Sequence, residues 1–170
     1  NHFMHIDIAG YYQFITFRTH DSSDNFLKKL YHQEKPANKK QLEIDHYLDN
    51  SKQGAYLNGQ ALVYLSHYLH QADTQLYQLS AFVIMPNHVH LLAKPLIKLP
   101  AMMRKIKGSS AYQLNKLLLK SGTFWEADYY DKAVRNQQQF NCVYNYIKNN
   151  SLKLPDDSRA ARFYGVYEGL

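Results

Sequence analysis

The chemically most suggestive residues of this 170-residue chain are two histidines separated by one apolar residue, His88-Val89-His90. On a strand, side chains two apart share a face at about 7 Å along the backbone, so both imidazoles can converge on one metal ion while Val89 packs on the opposite face. Two ligands do not fill a coordination shell, and a third must come from elsewhere in the fold. The same pattern also suits two histidines simply packed in a sheet. A second pair, Tyr146 and Asn150, is spaced i and i+4 and projects from one side of a helix. An amide oxygen beside a phenol suits a metal-assisted nucleophile, with Asn150 as a hard oxygen ligand and Tyr146 as the attacking group. The chain has 15 tyrosines, and for most of them packing is the ordinary expectation. Tyr146 stands out because it can be combined with a histidine pair that lacks a ligand.

The elements that must position these residues follow from periodicity and turn signals. Residues 11–19 read as a strand, and 25–53 as helix with an interruption at 35–39. Residues 59–71 form a helix with Leu62, Leu65 and Leu69 on one side. A hairpin spans 77–95, turning at Pro86-Asn87 and carrying the histidines on its second strand. A helix over 100–120, a strand over 129–135 and a helix over 137–149 complete the order. This succession predicts an α+β fold: a ferredoxin-like antiparallel sheet of split β-α-β type, with helices over one face and a C-terminal helix carrying the tyrosine. Without repeats or long linkers, residues 1–170 read as one domain, with 151–170 a short tail.

Charge is unevenly distributed. Residues 1–85 carry 7 basic and 8 acidic side chains, whereas 86–170 carry 13 basic and 6 acidic ones. From Lys94 to Lys120 there are seven basic residues and no acidic one, although solvated helices usually intersperse both signs. Lys94, Arg104, Lys105, Lys107 and Lys116, with the small hydroxyl of Ser109 and with Arg135 further on, are therefore expected to track nucleic-acid phosphates. Because this stretch joins the histidine strand to the tyrosine helix in sequence, it suggests a path for a phosphate backbone between the two halves of the site. The longest apolar run, 81–85, is far shorter than the roughly 20 residues a membrane span needs. The single cysteine, Cys142, excludes an intrachain disulfide framework or a multi-cysteine zinc site and fits a reducing cytoplasm. No glycine-rich phosphate loop, nucleophile elbow or His-Glu-x-x-His helix is present, so no nucleotide cofactor is expected.

The run Phe82-Val83-Ile84-Met85-Pro86-Asn87-His88-Val89-His90-Leu91-Leu92 resembles the HUH motif of single-tyrosine transposases, particularly the REP-associated tyrosine transposases. Residues 14–21, 107–115, 122–135 and 146–150 agree in order, so the resemblance covers nearly the whole chain. It implies cleavage and rejoining of single-stranded, hairpin-bearing or palindromic DNA through a 5′-phosphotyrosine, with Mg²⁺ or Mn²⁺. By position, His88 and His90 match the histidine ligands, Tyr146 the nucleophile and Asn150 the third ligand, where relatives often have Gln. Many relatives read Pro-Val-Lys where this chain has Ser151-Leu152-Lys153. The resemblance also implies a homodimer in which one subunit's tyrosine helix can complete the other's histidine pair. Two rival readings remain at this level: a non-catalytic single-strand nucleic-acid binder, and a domesticated relative that binds palindromes without cutting.

Overall fold

A computed structural model describes residues 10–167. Residues 1–9 and 168–170, part of the single domain expected over 1–170, lie outside the described residues. Five strands, β1 (Tyr12–Arg18), β2 (Tyr77–Ile84), β3 (His88–Pro95), β4 (Tyr130–Val134) and β5 (Phe163–Gly165), form one antiparallel sheet in the order β4-β1-β3-β2-β5. The helices are α1 (Asn25–His32), α2 (Ala37–Asn50), α3 (Gly59–Gln71), α4 (Leu99–Leu117) and α5 (Gln137–Asn150). Among the described residues no helix is long and apolar enough to cross a membrane.

Alternation along the strands divides the core in two. Ile15 and Phe17 of β1 and Val89, Leu91 and Ala93 of β3 face α3 and α4, packing with Leu65, Leu69, Met102, Met103 and Ile106. The opposite face of β2 and β3 places Ala81, Val83 and Leu92 under Phe140, Tyr144 and Ile147 of α5. In β2 the register slips between Leu79 and Ala81, so Ser80 is an extra residue. Tyr77 and Leu79 before this bulge, and Phe82 and Ile84 after it, therefore all reach the α3–α4 side despite their change of parity. The helix starts are set locally: Asp24 accepts a hydrogen bond from Leu27 N–H at 3.0 Å to open α1, and Asn136 accepts one from Gln139 N–H at 2.8 Å to open α5.

The segment expected as a tail folds back onto the sheet. Two 3₁₀ turns, Ser151–Lys153 and Asp156–Ser158, lead into β5, which pairs with β2 at the sheet edge. Arg162 enters the buried junction and donates to the carbonyls of Leu57 (2.9 Å) and Ile84 (2.8 Å) and to Asn58 Oδ1 (2.6 Å). Gly165 is required where β5 crosses α5, because a Cβ there would collide with the Tyr144 hydroxyl. That hydroxyl donates to Tyr167 O at 2.7 Å and accepts from Tyr167 N–H at 3.0 Å.

A polar clamp joins β1 to the loop before β4. The buried Arg18 guanidinium stacks on the Tyr31 ring (4.4 Å) and reaches Glu126 Oε2 at 3.1 Å, and Ser23 Oγ donates to the same oxygen at 2.9 Å. His20 Nδ1 lies 3.1 Å from the other carboxylate oxygen. Burial by itself would raise the Glu126 pKa, but His20, Ser23 and the Arg18 charge together hold it below the usual carboxylate range. A depressed acid pKa contributes stability above the unfolded-state value and loses it as pH falls through the folded value. Glu126→Gln should therefore lower unfolding free energy at pH 7 by about 1–2 kcal/mol, a range reduced for partial exposure, and flatten the acid limb of the stability curve. Urea titrations at pH 3 to 8 measure both effects.

Candidate active site

His88 and His90 alternate with Val89 and Leu91, so both imidazoles leave the α3–α4 core and enter the space under α2 and α5. Both are fully buried, with ring centroids 5.0 Å apart. Each ring is held at Nδ1. Asn87 Oδ1 lies 2.7 Å from His88 Nδ1 and must accept its proton, while Thr16 Oγ1, directly across β1, lies 2.8 Å from His90 Nδ1. Asn87 also donates to Leu48 O at 3.1 Å, tying the hairpin turn to the end of α2. With Nδ1 protonated, each Nε2 presents a lone pair to the site, the arrangement metal-binding histidines need. Neither Nε2 has a hydrogen-bond partner. Burial pushes the His88 pKa down to about 3 and that of His90 well below its ordinary value, so both rings are neutral at physiological pH.

The carboxylates come from α2, where Asp45 and Asp49 are one turn apart and share a face. Asp45 Oδ2 stands 3.9 Å from His90 Nε2, and ligand atoms of Asp45, His88 and His90 all lie within 4.8 Å of one another. Gln41 donates to Asp45 Oδ1 at 2.5 Å. Burial, against hydrogen bonds from Tyr146 and Gln41, moves the Asp45 pKa up to about 7. Asp49 Oδ1 lies 3.6 Å from His88 Nε2, while Lys153 donates to its other oxygen at 2.8 Å. Four buried polar atoms here lack hydrogen-bond partners: both Nε2 atoms, Asp49 Oδ1 and Asn150 Oδ1. Leaving one such atom unsatisfied costs about 1–3 kcal/mol. The two Nε2 atoms and an Asp45 oxygen converge within 4.8 Å, with Asp49 Oδ1 3.6 Å from His88 Nε2, and lone pairs so gathered with no proton between them fit a cation.

The third wall is α5. The Tyr146 hydroxyl donates to Asp45 Oδ2 at 2.9 Å, and its ring stands 5.3 Å from that of His90 and 6.0 Å from that of Phe14. Lys153 Nζ lies 5.1 Å from the Tyr146 ring centre. Burial first, then the charge and acceptor of Asp45, push the phenol pKa up, so the hydroxyl is held protonated. Asn150 is buried one turn on, with Nδ2 3.4 Å from Tyr146 O. The strand and helix of a single chain thus bring the His88–His90 pair against Tyr146, with Asn150 one turn further along α5.

The expected DNA contacts are distributed otherwise. Arg104, Lys105, Ser109 and Lys116 are exposed on α4, whose apolar side packs on the sheet face opposite the histidines. The basic stretch therefore does not run between the histidine strand and the tyrosine helix: adjacency in sequence becomes opposite faces of the sheet. Lys107 is turned inward and donates to the carbonyls of Glu126 (2.7 Å) and Ala127 (3.1 Å), and burial lowers its pKa to about 8. Lys94 is half-buried near the end of β3, and Arg135 is exposed just past β4, its guanidinium 5.9 Å from the Tyr11 ring centre.

The family model described as "Transposase IS200 like" matches residues 51–150, more than half of the chain. The chain belongs to this family. Its five-stranded α+β architecture is that of a REP-associated tyrosine transposase whose structure was solved bound to a REP hairpin. The two align with a TM-score of 0.52 at 17% identity over 89% of this chain and 72% of that one, a likeness of fold. A candidate transposase from Deinococcus radiodurans aligns at 18% identity over 85% of this chain and 97% of its own, with a TM-score of 0.48. No curated protein matches the chain. In this IS200-like transposase the matched region holds both histidines, Tyr146 and Asn150 but begins just after α2, so Asp45 and Asp49 lie outside it. Sequence reasoning passed over these two carboxylates. The available signal was their i,i+4 spacing beside Ile44 and Leu48, which are buried on the same helix.

Proposed function

We propose that this transposase-family chain cleaves and rejoins single-stranded DNA through a covalent bond between Tyr146 and a 5′-phosphate. The observation that supports the reading best is the Tyr146 hydroxyl resting on Asp45 beside two histidines whose Nε2 atoms are unpartnered. His88, His90 and Asp45 would hold a divalent metal, with Asp49 Oδ1 3.6 Å from His88 Nε2 and the unpartnered Asn150 Oδ1 one turn beyond Tyr146 as further oxygens. A bound cation supplies charge that polarises the scissile phosphate and offsets negative charge developing on it. Of Mg²⁺ and Mn²⁺, the mixed nitrogen and oxygen donors suit Mn²⁺ better, since Mg²⁺ favours all-oxygen octahedral shells.

The chain's own residues divide the remaining work. Tyr146 Oη forms a bond to phosphorus as the bond from phosphorus to the 3′-oxygen breaks. The phenol proton passes to Asp45 Oδ2, which already accepts it in a hydrogen bond. The departing 3′-oxygen takes a proton from water. Asn87 and Thr16 keep the imidazoles oriented, and Lys153 places a cation beside the tyrosine ring where the phosphate must approach. Attack by a second 3′-hydroxyl on the phosphotyrosine reverses the step, so rejoining needs no nucleotide cofactor. In this reading one chain supplies every group named, and its tyrosine acts on the phosphate held at its own histidine pair. By extension from the hairpin-bound fold neighbour, the substrate is hairpin-bearing DNA, with the exposed basic side of α4 available to track its stem phosphates.

Incubation of a labelled single-stranded hairpin end with Mn²⁺ should give a DNA–protein adduct that survives denaturation. No adduct with either metal, across oligonucleotides of varied sequence, would sink the reading. Metal binding has a separate readout: Mn²⁺ at 100 times its Kd should add about 2.7 kcal/mol to unfolding free energy, and EDTA should remove it.

A further inference from the structure

Beside Tyr146, α2, α5, β1 and β4 enclose a hollow of about 260 Å³ that opens to solvent and continues to the Asp45 carboxylate. Its floor is Phe14, whose ring meets Tyr130 edge-on at 6.1 Å and Tyr146 edge-on at 6.0 Å. Leu42 and Val143 form apolar sides. Asn38 and Lys132, both exposed, stand at its mouth, one turn of α2 and a strand position away from the aromatic floor. The volume falls below the roughly 300–1,000 Å³ of pockets for drug-sized ligands. It is the scale of a single flat heterocycle.

We propose that this hollow receives one unpaired nucleobase, that of the nucleotide whose 5′-phosphate Tyr146 takes. The inference rests on the strand-cleavage reading above. Tyr146 and Asp45 line both the hollow and the reacting centre, so a nucleotide joined to the phosphate at Tyr146 Oη has this space within reach. The choice of nucleotide follows from displacement geometry. Attacking and leaving oxygens lie roughly in line through phosphorus. The departing 3′-oxygen and its nucleoside are therefore on the far side of the phosphate from Tyr146. The nucleoside able to lie beside the tyrosine ring is the one that keeps the phosphate, on the 3′ side of the cut. An aromatic floor with apolar sides suits the π-face of a base, a carboxamide at the mouth can meet its polar edge, and Lys132 matches the charge of the next phosphate. Held this way, the covalently attached nucleotide stays fixed while the other end leaves and a new 3′-hydroxyl enters.

The test uses the cut position mapped from the Mn²⁺-dependent adduct. Oligonucleotides carrying an abasic residue immediately 3′ or immediately 5′ of that cut are compared with the intact one. The 3′ abasic substrate should lose about tenfold or more in kcat/KM for adduct formation, as expected for one lost base stack, and the 5′ one markedly less. A second readout needs no cleavage. Cys142, the only cysteine in the chain, is exposed and lines the hollow. Intact oligonucleotide should slow its alkylation by N-ethylmaleimide, and the 3′ abasic oligonucleotide should protect it less. Adduct formation at equal rates on all three, with alkylation unaffected by DNA, would overturn the proposal and leave the hollow to another occupant such as an apolar side chain of a protein. Failure to form any adduct would instead overturn the cleavage reading and this inference with it.

Discussion

Tyr146→Phe should abolish the covalent adduct, by at least about 10⁴-fold in rate, while the variant folds and still binds DNA. The substitution removes one oxygen and leaves the ring. The ring's edge-on contacts with Phe14 and His90 persist, as does the Lys153 ammonium near its face. What is lost structurally is one hydrogen bond to Asp45, about 1 kcal/mol. A large loss of adduct beside a small change in unfolding free energy separates a nucleophile from a packing residue. Adduct persisting in this variant would overturn the assignment, and Tyr130, the other tyrosine lining the hollow, would be the next to replace. Electrophoresis of the denatured adduct and a urea titration on the same preparation give both numbers.

Asp45→Asn should move metal affinity and stability in opposite directions. Losing a ligand charge should weaken Mn²⁺ binding by more than the roughly 10–100-fold typical of outer-sphere partners. Stability without metal should rise. The Asp45 pKa increases from the ordinary carboxylate value to about 7 on folding. An acid whose pKa is raised in the folded state takes stability away as pH climbs from its unfolded value through the folded one. At neutral pH the wild-type carboxylate therefore opposes folding, and a neutral amide of the same shape relieves that opposition. His90→Ala should lose metal-dependent cleavage as Asp45→Asn does and keep most DNA binding, because the ring is fully buried away from the exposed basic side chains. Asn150→Ala is the informative contrast: its Oδ1 has no partner, and its Nδ2 is directed to Tyr146 one turn back. If Asn150 is the principal oxygen ligand, its removal should weaken Mn²⁺ as much as removal of Asp45; if Asp45 is, the effect of Asn150→Ala should be several-fold smaller. Isothermal titration with Mn²⁺ decides between them.

These residues also mark how far the chain could be read in one dimension. The histidine pair was legible because a strand imposes a two-residue period, and Val89 between the imidazoles points into the α3–α4 core as alternation requires. Tyr146 and Asn150 were legible for the corresponding reason on a helix. Element positions followed from the same periods, and α1, α2, α3 and α5 begin and end within a few residues of where turn signals place them. β5 was not legible: three residues are too few to show a period, and the strand exists because Arg162 and the Tyr144 hydroxyl hold the returning chain against β2. Asp45 and Asp49 were visible as a helical pair but carried no sign of their partner, since nothing local tells a solvated carboxylate from one buried over a sheet.

The basic stretch shows the limit most plainly. Its composition suggested phosphate contacts, and its position in sequence suggested a bridge between strand and helix. In the fold α4 crosses the far face of the sheet, because its own apolar residues belong to the core beneath α3. Which side chains share a face within each element could be read from the chain alone, because that depends only on backbone geometry. Which faces meet could not, since that depends on how whole elements bury their apolar sides. The assembled fold is what placed Asp45, the base-sized hollow and the far side of α4.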